Sequence, residues 1–275
     1  MKKILVPTDF SKIADKALDI AVQIAKKNMA HIELLNVSVF PASEVGVYYS
    51  VYSINKSMDE AWDEILKEND LKLKERINKY PDVKIFPFLA ESDNDFVKEL
   101  LNHEADLIVI GSHGAEGFRE IISGSNSEEV VRLSNCPVLV VKDEELAFNP
   151  QKVVFAVDLS KHNDYIQKAV DNLPIEKSEK HFIFIDNDMK RINYAETKDK
   201  MSKLISTMNI SNTVFNVVEA NTIEEGILSY SKEINAGMII MYTHGRTGIS
   251  HFFNGSIAED IVNHSNIPVF TFVEH

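Results

Sequence analysis

Short apolar runs alternate with longer amphipathic stretches along the first half of the chain. Each run is rich in valine, isoleucine and leucine and has the length of one buried strand; the runs cover residues 2–8, 31–39, 83–89, 107–110 and 137–142. Between the first two runs, apolar residues recur with the 3.6-residue period of a helix that buries one face. The pattern predicts five strands joined by helices that begin after Ser11, span 58–80, span 94–103 and begin again at Gly124-Ser125.

The same order of strands and turns recurs in the second half. KILVPTDFS at 3–11 matches KVVFAVDLS at 152–160, with an offset of 158 − 9 = 149. LIVIGSHG at 107–114 matches MIIMYTHG at 238–245, with an offset of 245 − 114 = 131. The repeat predicts two domains, over 1–142 and 151–275, joined by a charged linker at 143–150.

Continuous apolar strands that alternate with amphipathic helices are typical of a parallel sheet covered on both faces. We therefore predict an α/β fold of two doubly wound domains, each with a five-stranded parallel sheet. Ligands of such sheets bind beyond the carboxyl ends of the strands. Asp9, Asn36-Val37 and Gly111 to Gly114 all lie at the carboxyl ends of predicted strands, so they can converge in one crevice.

Residues 40–56 are the largest difference between the two halves, because the offset falls by 149 − 131 = 18 residues across this region. The segment has few helix signals and carries three tyrosines, Tyr48, Tyr49 and Tyr52. We predict a long loop that acts as a mobile lid or partner surface; a loop without a function is the alternative.

Composition narrows the classes of function. The formal net charge is −13 and the pI is about 5.2, which argues against electrostatic binding to nucleic acid or an anionic membrane. The single cysteine, Cys136, excludes an intrachain disulfide and favours a cytoplasmic protein; its thiol is expected to be buried and inert. No apolar run approaches the roughly 18 residues of a membrane span, and KKILVPTDF enters a strand pattern without a signal peptide.

A glycine-punctuated turn follows the fourth strand and points to an anion site. Gly111 and Gly114 are followed nine residues later by Gly124 and Ser125, just before a predicted helix. Glycine allows close approach of the backbone, and a helix N-terminus offers unpaired N–H groups to a phosphate. The pattern recurs as Gly245 and Gly255-Ser256. The alternative is structural: Ser125 with Glu128, and Ser256 with Glu259, fit the S-x-x-E capping box.

Other chemistry lacks support in the sequence. The nine histidines show no zinc-ligand spacing, and there is no G-x-S-x-G elbow. Neither G-x-x-x-x-G-K-[ST] nor G-x-G-x-x-G is present, so an ordinary P-loop is excluded and a dinucleotide fold is disfavoured.

The strand-PTD start, the G-x2-G-x9-G-S signature and the closing CPVLVV strand resemble the universal stress protein family. Two copies make the chain similar to a tandem universal stress protein. The resemblance implies an adenine nucleotide alpha hydrolase-like fold, a role in stress resistance or signalling, and ATP binding in many members. It implies no established catalysis, although slow ATP hydrolysis occurs in the family. It also implies that paired domains associate through their final strands, as an intramolecular pseudo-dimer here, with a homodimer left open.

The resemblance also implies roles for particular residues of the first half. Asp9 would touch ribose or a metal, the main chain at Val37 would bind adenine, and Ser125 would hold a phosphate. The full set implied for the nucleotide is Pro7, Thr8, Asp9, Val37, Gly111, Gly114, Gly124, Ser125 and Asn126. Asp9 has an alternative role, as a helix-start acid that complements the helix dipole.

The second half departs from the family pattern at the sugar side. Tyr242 occupies the position of Gly111, and Ala156-Val157 replaces Pro7-Thr8. The second site, predicted to be degenerate, comprises Asp158, Tyr242, Gly245, Arg246, Gly255 and Ser256. We expect one ATP or ADP per chain, in the first half, with Mg²⁺ near Asp9, and an unidentified protein partner. The alternative is a nucleotide-free interaction or small-ligand module.

Overall fold

A computed structural model of the chain describes residues 1–39, 58–92, 95–112, 124–142, 148–159, 163–187, 193–243 and 257–273. The predicted lid at 40–56 lies outside the described residues. So do most of the linker and both glycine turns, at 113–123 and 244–256. The domain boundaries therefore stay predictions.

Strands and helices alternate in the predicted order through both halves. The first half contains β1 (Lys3–Pro7), α1 (Lys12–Asn28), β2 (His31–Val39), α2 (Met58–Ile77), β3 (Ile85–Ser92), α3 (Phe96–Leu101), β4 (Leu107–Gly111), α4 (Gly124–Leu133) and β5 (Val138–Val141). The second half contains β6 (Lys152–Ala156), α5 (Asp164–Asn172), β7 (Glu179–Asp186), α6 (Tyr194–Ser206), β8 (Thr213–Glu219), α7 (Ile223–Glu233), β9 (Met238–Thr243), α8 (Ile257–His264) and β10 (Val269–Val273).

Three predicted elements of the first half have clearly different bounds in the structure. The second helix was expected over 58–80 but ends at Ile77. The third strand was expected at 83–89 but runs to Ser92, because it pairs with β2 in register up to Val39↔Ser92. The third helix was expected over 94–103 but has six residues. Its start is set by Asp95, whose side chain accepts a hydrogen bond from the N–H of Lys98.

All described strands join one sheet in the order β3-β2-β1-β4-β5-β10-β9-β6-β7-β8. Pairing is parallel within each half, and the single antiparallel pair joins β5 to β10. The predicted fold class is therefore confirmed, and the two closing strands are neighbours as predicted.

Helices cover both faces of this sheet because alternate strand residues point in opposite directions. Ile4 and Val6 of β1 pack in one apolar cluster with α1 and α5. Leu5, between them, packs in the other cluster with α3, α4, α7 and α8. Inner strands such as β1, β4 and β5 are thus buried on both sides, which explains their continuous apolar sequences, whereas the edge strands β3 and β8 are partly exposed.

The junction between the halves has near-twofold symmetry. Leu139 of β5 pairs with Phe270 of β10, which is its own counterpart in the repeat, since 139 + 131 = 270. A residue that pairs with its own counterpart marks an isologous interface, the kind that forms in symmetric homodimers. The chain therefore builds internally the strand contact that separate subunits would share.

A second contact between the halves lies on the α1 face. Lys27, at the end of α1, donates to the carbonyls of Val170 (3.3 Å) and Leu173 (2.5 Å) and pairs with Glu176. Asn28 donates to the carbonyl of Asn172 at 2.8 Å. These donors satisfy carbonyl groups at the carboxyl end of α5, which the helix itself leaves unpaired.

Candidate functional site

The turn after β1 holds Asp9 in a fixed position. Its Oδ1 accepts hydrogen bonds from the backbone N–H of Ser11 (3.0 Å) and from the Ser11 hydroxyl (2.5 Å). The Ser11 Oγ in turn accepts from the N–H of Ala14 at 3.3 Å, which confirms Ser11 as the N-cap of α1. One carboxylate oxygen is therefore committed to the turn. No hydrogen bond to Oδ2 is made within the described part of the chain, so this oxygen keeps its acceptor capacity.

Phe10, beside Asp9, has a left-handed backbone that a non-glycine residue rarely adopts, with φ of 65°. Its N–H donates to the Thr8 hydroxyl at 3.0 Å, and its carbonyl accepts from Arg76 of α2 at 3.0 Å. The Arg76 guanidinium also lies 4.8 Å from the centre of the Phe10 ring. Strained backbone of this kind persists where its surroundings hold it, and it is concentrated at binding sites.

Val37 presents its main chain to the space beyond the end of β1. In β2, odd-numbered residues face β1: the N–H of His31 donates to Lys2, and the carbonyl of Leu35 accepts from Thr8 at 2.8 Å. The last paired residue of β1 is Pro7, opposite Leu35. The N–H and C=O of Val37 therefore point past the end of β1, where a planar base could meet both.

A buried polar network fixes this edge. The Asn36 amide donates to the carbonyl of Thr8 at 2.8 Å, and its oxygen accepts from Ser38 at 3.0 Å and from Asn69 of α2 at 3.3 Å. Thr8, Asn36 and Ser38 are all buried. Helix α2 thus contacts both the Asp9 turn, through Arg76, and the end of β2, through Asn69.

Gly111 is required for a reason other than the one expected. A Cβ built at this position would lie 2.8 Å from both the carbonyl carbon and oxygen of Ile13 in α1. The missing side chain therefore allows α1 to pack against β4, and close approach to a sugar is not needed to explain the glycine. Its role in binding stays a prediction.

A lysine and two serines connect the ends of β4 and β5 to the first turn of α4. The Ser127 hydroxyl donates to the Ser112 Oγ at 3.0 Å, and the Lys142 amine donates to the same oxygen at 3.3 Å. Both serines are fully buried. Burial lowers the pKa of Lys142 to about 8, and the negative charge of Glu128 opposes that shift.

The remaining residues of the predicted first site are only partly described. Helix α4 begins at Gly124, so Ser125 lies in its first turn and does not precede the helix as the capping box required. Asn126 is half-buried in the same turn. Gly114 lies outside the described residues, as do the side chain of Ser125 and the second-half residues Gly245, Arg246, Gly255 and Ser256.

In the second half, aromatic rings fill the matching region. The Tyr242 ring packs 5.9 Å from that of Tyr165, which in turn lies 5.8 Å from Phe272. The Tyr165 hydroxyl donates to the carbonyl of Ala156 at 2.7 Å, and burial raises the pKa of this phenol. Asp158 is exposed and its carbonyl accepts from Asn163 at 3.2 Å. Whether this packing excludes a nucleotide stays a prediction.

Comparison with known proteins follows the same two-part organisation. The family model described as "Universal stress protein family" matches residues 1–142 and 187–272. The chain belongs to the universal stress protein family. The universal stress protein YxiE of Bacillus subtilis is 34% identical over 148 residues, which cover 51% of this chain and 98% of that protein. A universal stress protein of Methanocaldococcus jannaschii is 34% identical over 155 residues, covering 51% of this chain and 94% of that protein.

Solved structures of the family match the whole chain. The crystal structure of a universal stress protein from Archaeoglobus fulgidus has a TM-score of 0.72 at 26% identity and covers 99% of this chain and 96% of that one. A putative universal stress protein from Pseudomonas aeruginosa has a TM-score of 0.64 at 17% identity, with 99% and 93% covered, which shows a shared fold. This protein is thus a tandem universal stress protein with two units in one chain.

The family match skips one region of this universal stress protein. Residues 143–186 lie outside it, and they contain β6, α5 and all of β7. These are the elements whose carboxyl ends would form the sugar and base side of a second site. The departure from the family pattern is therefore concentrated where the aromatic packing replaces the polar network.

Sequence reasoning missed three parts of the site: the Asn36 side chain, the α2 contacts and the Ser112–Ser127–Lys142 network. A signal for Lys142 was present, because it continues the alternation of Val138 and Val140 and therefore shares their face toward α4. The α2 contacts join residues 31 to 66 positions apart, and no local pattern reveals such pairs.

The described residues contain neither a membrane-spanning helix nor a cluster of metal-ligand side chains. Among the helices that the structure describes, none combines the length and apolar character of a membrane span. Within the same described ranges, no three His, Cys, Asp or Glu side chains are grouped as metal ligands. A metal at Asp9 would therefore depend on phosphate oxygens for most of its coordination, as Mg²⁺ often does.

Proposed function

We propose that this tandem universal stress protein binds one adenine nucleotide, ATP or ADP, in its first half and acts as a regulatory module in the cytoplasm. One observation carries the proposal: at two matching strand ends, buried polar residues of the first half stand where the second half has apolar ones. Thr8 and Asn36 stand where the second half has Val157 and Phe184, as the strand registers show. Polar side chains are buried at this edge although apolar ones fit the same fold, which favours a polar ligand.

Each end of the nucleotide has a plausible partner in the described residues. The main chain of Val37 would hold the base, and Asp9, with one oxygen fixed by Ser11, would hold the ribose or Mg²⁺. The first turn of α4, which begins at Gly124, would offer N–H groups to the phosphates. Mg²⁺ fits this arrangement because it accepts a single protein carboxylate when phosphates supply the other oxygens.

We propose binding without turnover as the physiological role, with nucleotide occupancy altering the surface offered to a protein partner. The second half then serves as a scaffold, because its crevice is filled by Tyr242 and Tyr165. The single cysteine favours a reducing compartment, which supports the cytoplasmic location.

Isothermal titration calorimetry with ATP and Mg²⁺ tests the proposal on the full chain and on two matched variants, Gly124→Val and Gly255→Val. We expect one site per chain, lost in Gly124→Val and kept in Gly255→Val. Phosphate release during a prolonged incubation measures turnover. Loss of binding in Gly255→Val but not in Gly124→Val overturns the assignment to the first half. Two equal sites in the unmodified chain show that a nucleotide site tolerates Tyr242. No heat of binding in any of the three proteins favours the nucleotide-free module.

A further inference from the structure

Lys142 lies under the first turn of the helix that is proposed to bind phosphate. It follows β5 directly, and its amine is 3.3 Å from the Oγ of Ser112, the residue after β4. Ser112 also accepts the hydroxyl of Ser127, in the first turn of α4, at 3.0 Å. The lysine charge is therefore placed between the two strand ends and the start of α4.

The network is present in one half only. The repeat offset of 131 places Thr243, Ala258 and Val273 opposite Ser112, Ser127 and Lys142 (112 + 131 = 243, 127 + 131 = 258, 142 + 131 = 273). Ala258 cannot form the hydroxyl contact, and Val273 has no charge. A partly buried amine costs desolvation energy, which a bound anion at this end of the sheet would offset.

The charges that face Lys142 leave it incompletely neutralised. Glu128 of α4 supplies the opposing negative charge. Burial and the charge of Glu259 raise the pKa of Glu128, while Asp260 and His264 of α8 also act on it. Among the described residues, the Lys142 amine donates to Ser112 and forms no ion pair with a carboxylate, so it retains capacity to balance another anion.

Resting on the proposed function, we infer that Lys142 is a positioning residue of the phosphate site, whose protonated amine balances the nucleotide phosphates from beneath α4, so that nucleotide binding takes up a proton. The free amine, with a pKa of about 8, is half protonated at pH 8. A phosphate chain at the start of α4 favours the ammonium form and raises that pKa. Phosphate groups, with a second pKa of about 6, are already ionised near pH 8 and therefore do not account for the proton uptake.

Calorimetry of the full chain in two buffers with different ionisation enthalpies measures the proton uptake. We expect uptake of about 0.4 proton per ATP at pH 8, and an ATP dissociation constant that rises about fourfold from pH 7.5 to 9 if loss of the charge weakens binding about tenfold. Adenosine, which has no phosphate, should bind without uptake.

Two substitutions at this position separate charge from packing. Lys142→Met should weaken ATP binding about tenfold, leave adenosine binding unchanged and abolish the uptake. Lys142→Arg keeps the charge but cannot titrate in this range, so it should retain ATP affinity without uptake. Lys180→Met is the matched control: Lys180 is buried and has a lowered pKa, but its amine donates to carbonyls of the 176–178 turn, so uptake should persist.

The outcomes separate this inference from the proposed function. Absence of any ATP binding by the unmodified chain overturns both. ATP binding without proton uptake, or equal weakening of ATP and adenosine by Lys142→Met, overturns the role of Lys142 and leaves the nucleotide site in place. Loss of uptake in Lys180→Met also rules it out.

Discussion

Replacing Gly111 with alanine tests how tightly α1 is held against β4. The added Cβ would lie 2.8 Å from the carbonyl carbon and oxygen of Ile13 and 3.0 Å from its Cγ1. Ordinary contacts between such atoms are about 3.5 to 4.0 Å, so the strand and the helix would have to separate by roughly 0.7 Å. Two of the three atoms belong to the backbone of the first turn of α1, and a rotamer change cannot relieve the clash.

We expect Gly111→Ala to lower the free energy of unfolding by about 1–3 kcal/mol, the usual cost of overpacking a filled core. With a urea m-value of about 3 kcal/mol/M, the unfolding midpoint would fall by about 0.3–1 M. The displaced turn also carries Ser11, the cap that fixes Asp9, so ATP affinity should fall as well.

The control is Gly226→Ala in α7. Its Cβ would approach Ile185 Cγ2 at 2.8 Å and Ala220 Cβ at 3.1 Å, but these atoms belong to side chains and not to a helix backbone. Alanine also favours the helix over glycine by about 1 kcal/mol, so this variant should lose less stability than Gly111→Ala. Equal midpoints for Gly111→Ala and the unmodified protein in urea titrations would refute the reasoning from backbone contact.

Three further predictions concern the contacts between and within the halves. Lys27→Met should lower the free energy of unfolding in urea by about 1–2 kcal/mol, because it removes the hydrogen bonds that the amine donates to carbonyls at the end of α5. The control, Lys26→Met, breaks only an exposed ion pair of 3.9 Å and should change that free energy by less than about 0.5 kcal/mol. Glu128→Gln should raise the melting temperature at pH 7 but not at pH 4. The pKa of the Glu128 carboxyl is raised in the folded protein, so the stability that its protonated form contributes is lost as pH rises through that folded-state pKa. An equal gain in melting temperature at pH 4 and pH 7 would contradict this reasoning. Tyr242→Ala should lower the free energy of unfolding by about 2 kcal/mol, which is less than for a fully buried aromatic residue because Tyr242 is only partly buried. An unchanged melting temperature would show that its packing on Tyr165 does not contribute to stability.

Local patterns were sufficient for the fold but not for the reasons behind individual residues. The apolar strands, the Ser11 cap and the pairing of the closing strands all follow from residues close in sequence or from the repeat. Gly111 illustrates the limit. Its sequence context indicates a ligand turn, yet the structure gives a packing reason that involves a helix almost 100 residues earlier.

The polar network around Asn36 shows the same limit for the site. Asn36 lies towards the carboxyl end of a predicted strand, so its position at this edge of the sheet was foreseeable. Its partners Thr8 and Asn69 come from two other elements, and one of them, α2, is separated from β2 by the undescribed segment. A helix docks on such a network through tertiary contacts that neither propensity nor periodicity encodes.

The symmetric junction and the asymmetric crevices have a common physical explanation. In a homodimer of identical subunits, each chain must carry both the interface and the site, so a change that fills one crevice fills both. A tandem chain removes this constraint, because covalent linkage keeps the two halves at a high effective concentration and each sequence can vary independently. The Leu139↔Phe270 pair remains apolar on both sides because both halves need it. Val157 and Phe184 can then stand where the first half has Thr8 and Asn36, and Tyr242 where it has Gly111. Val157 and Tyr242 contribute to the apolar packing that supports the shared sheet.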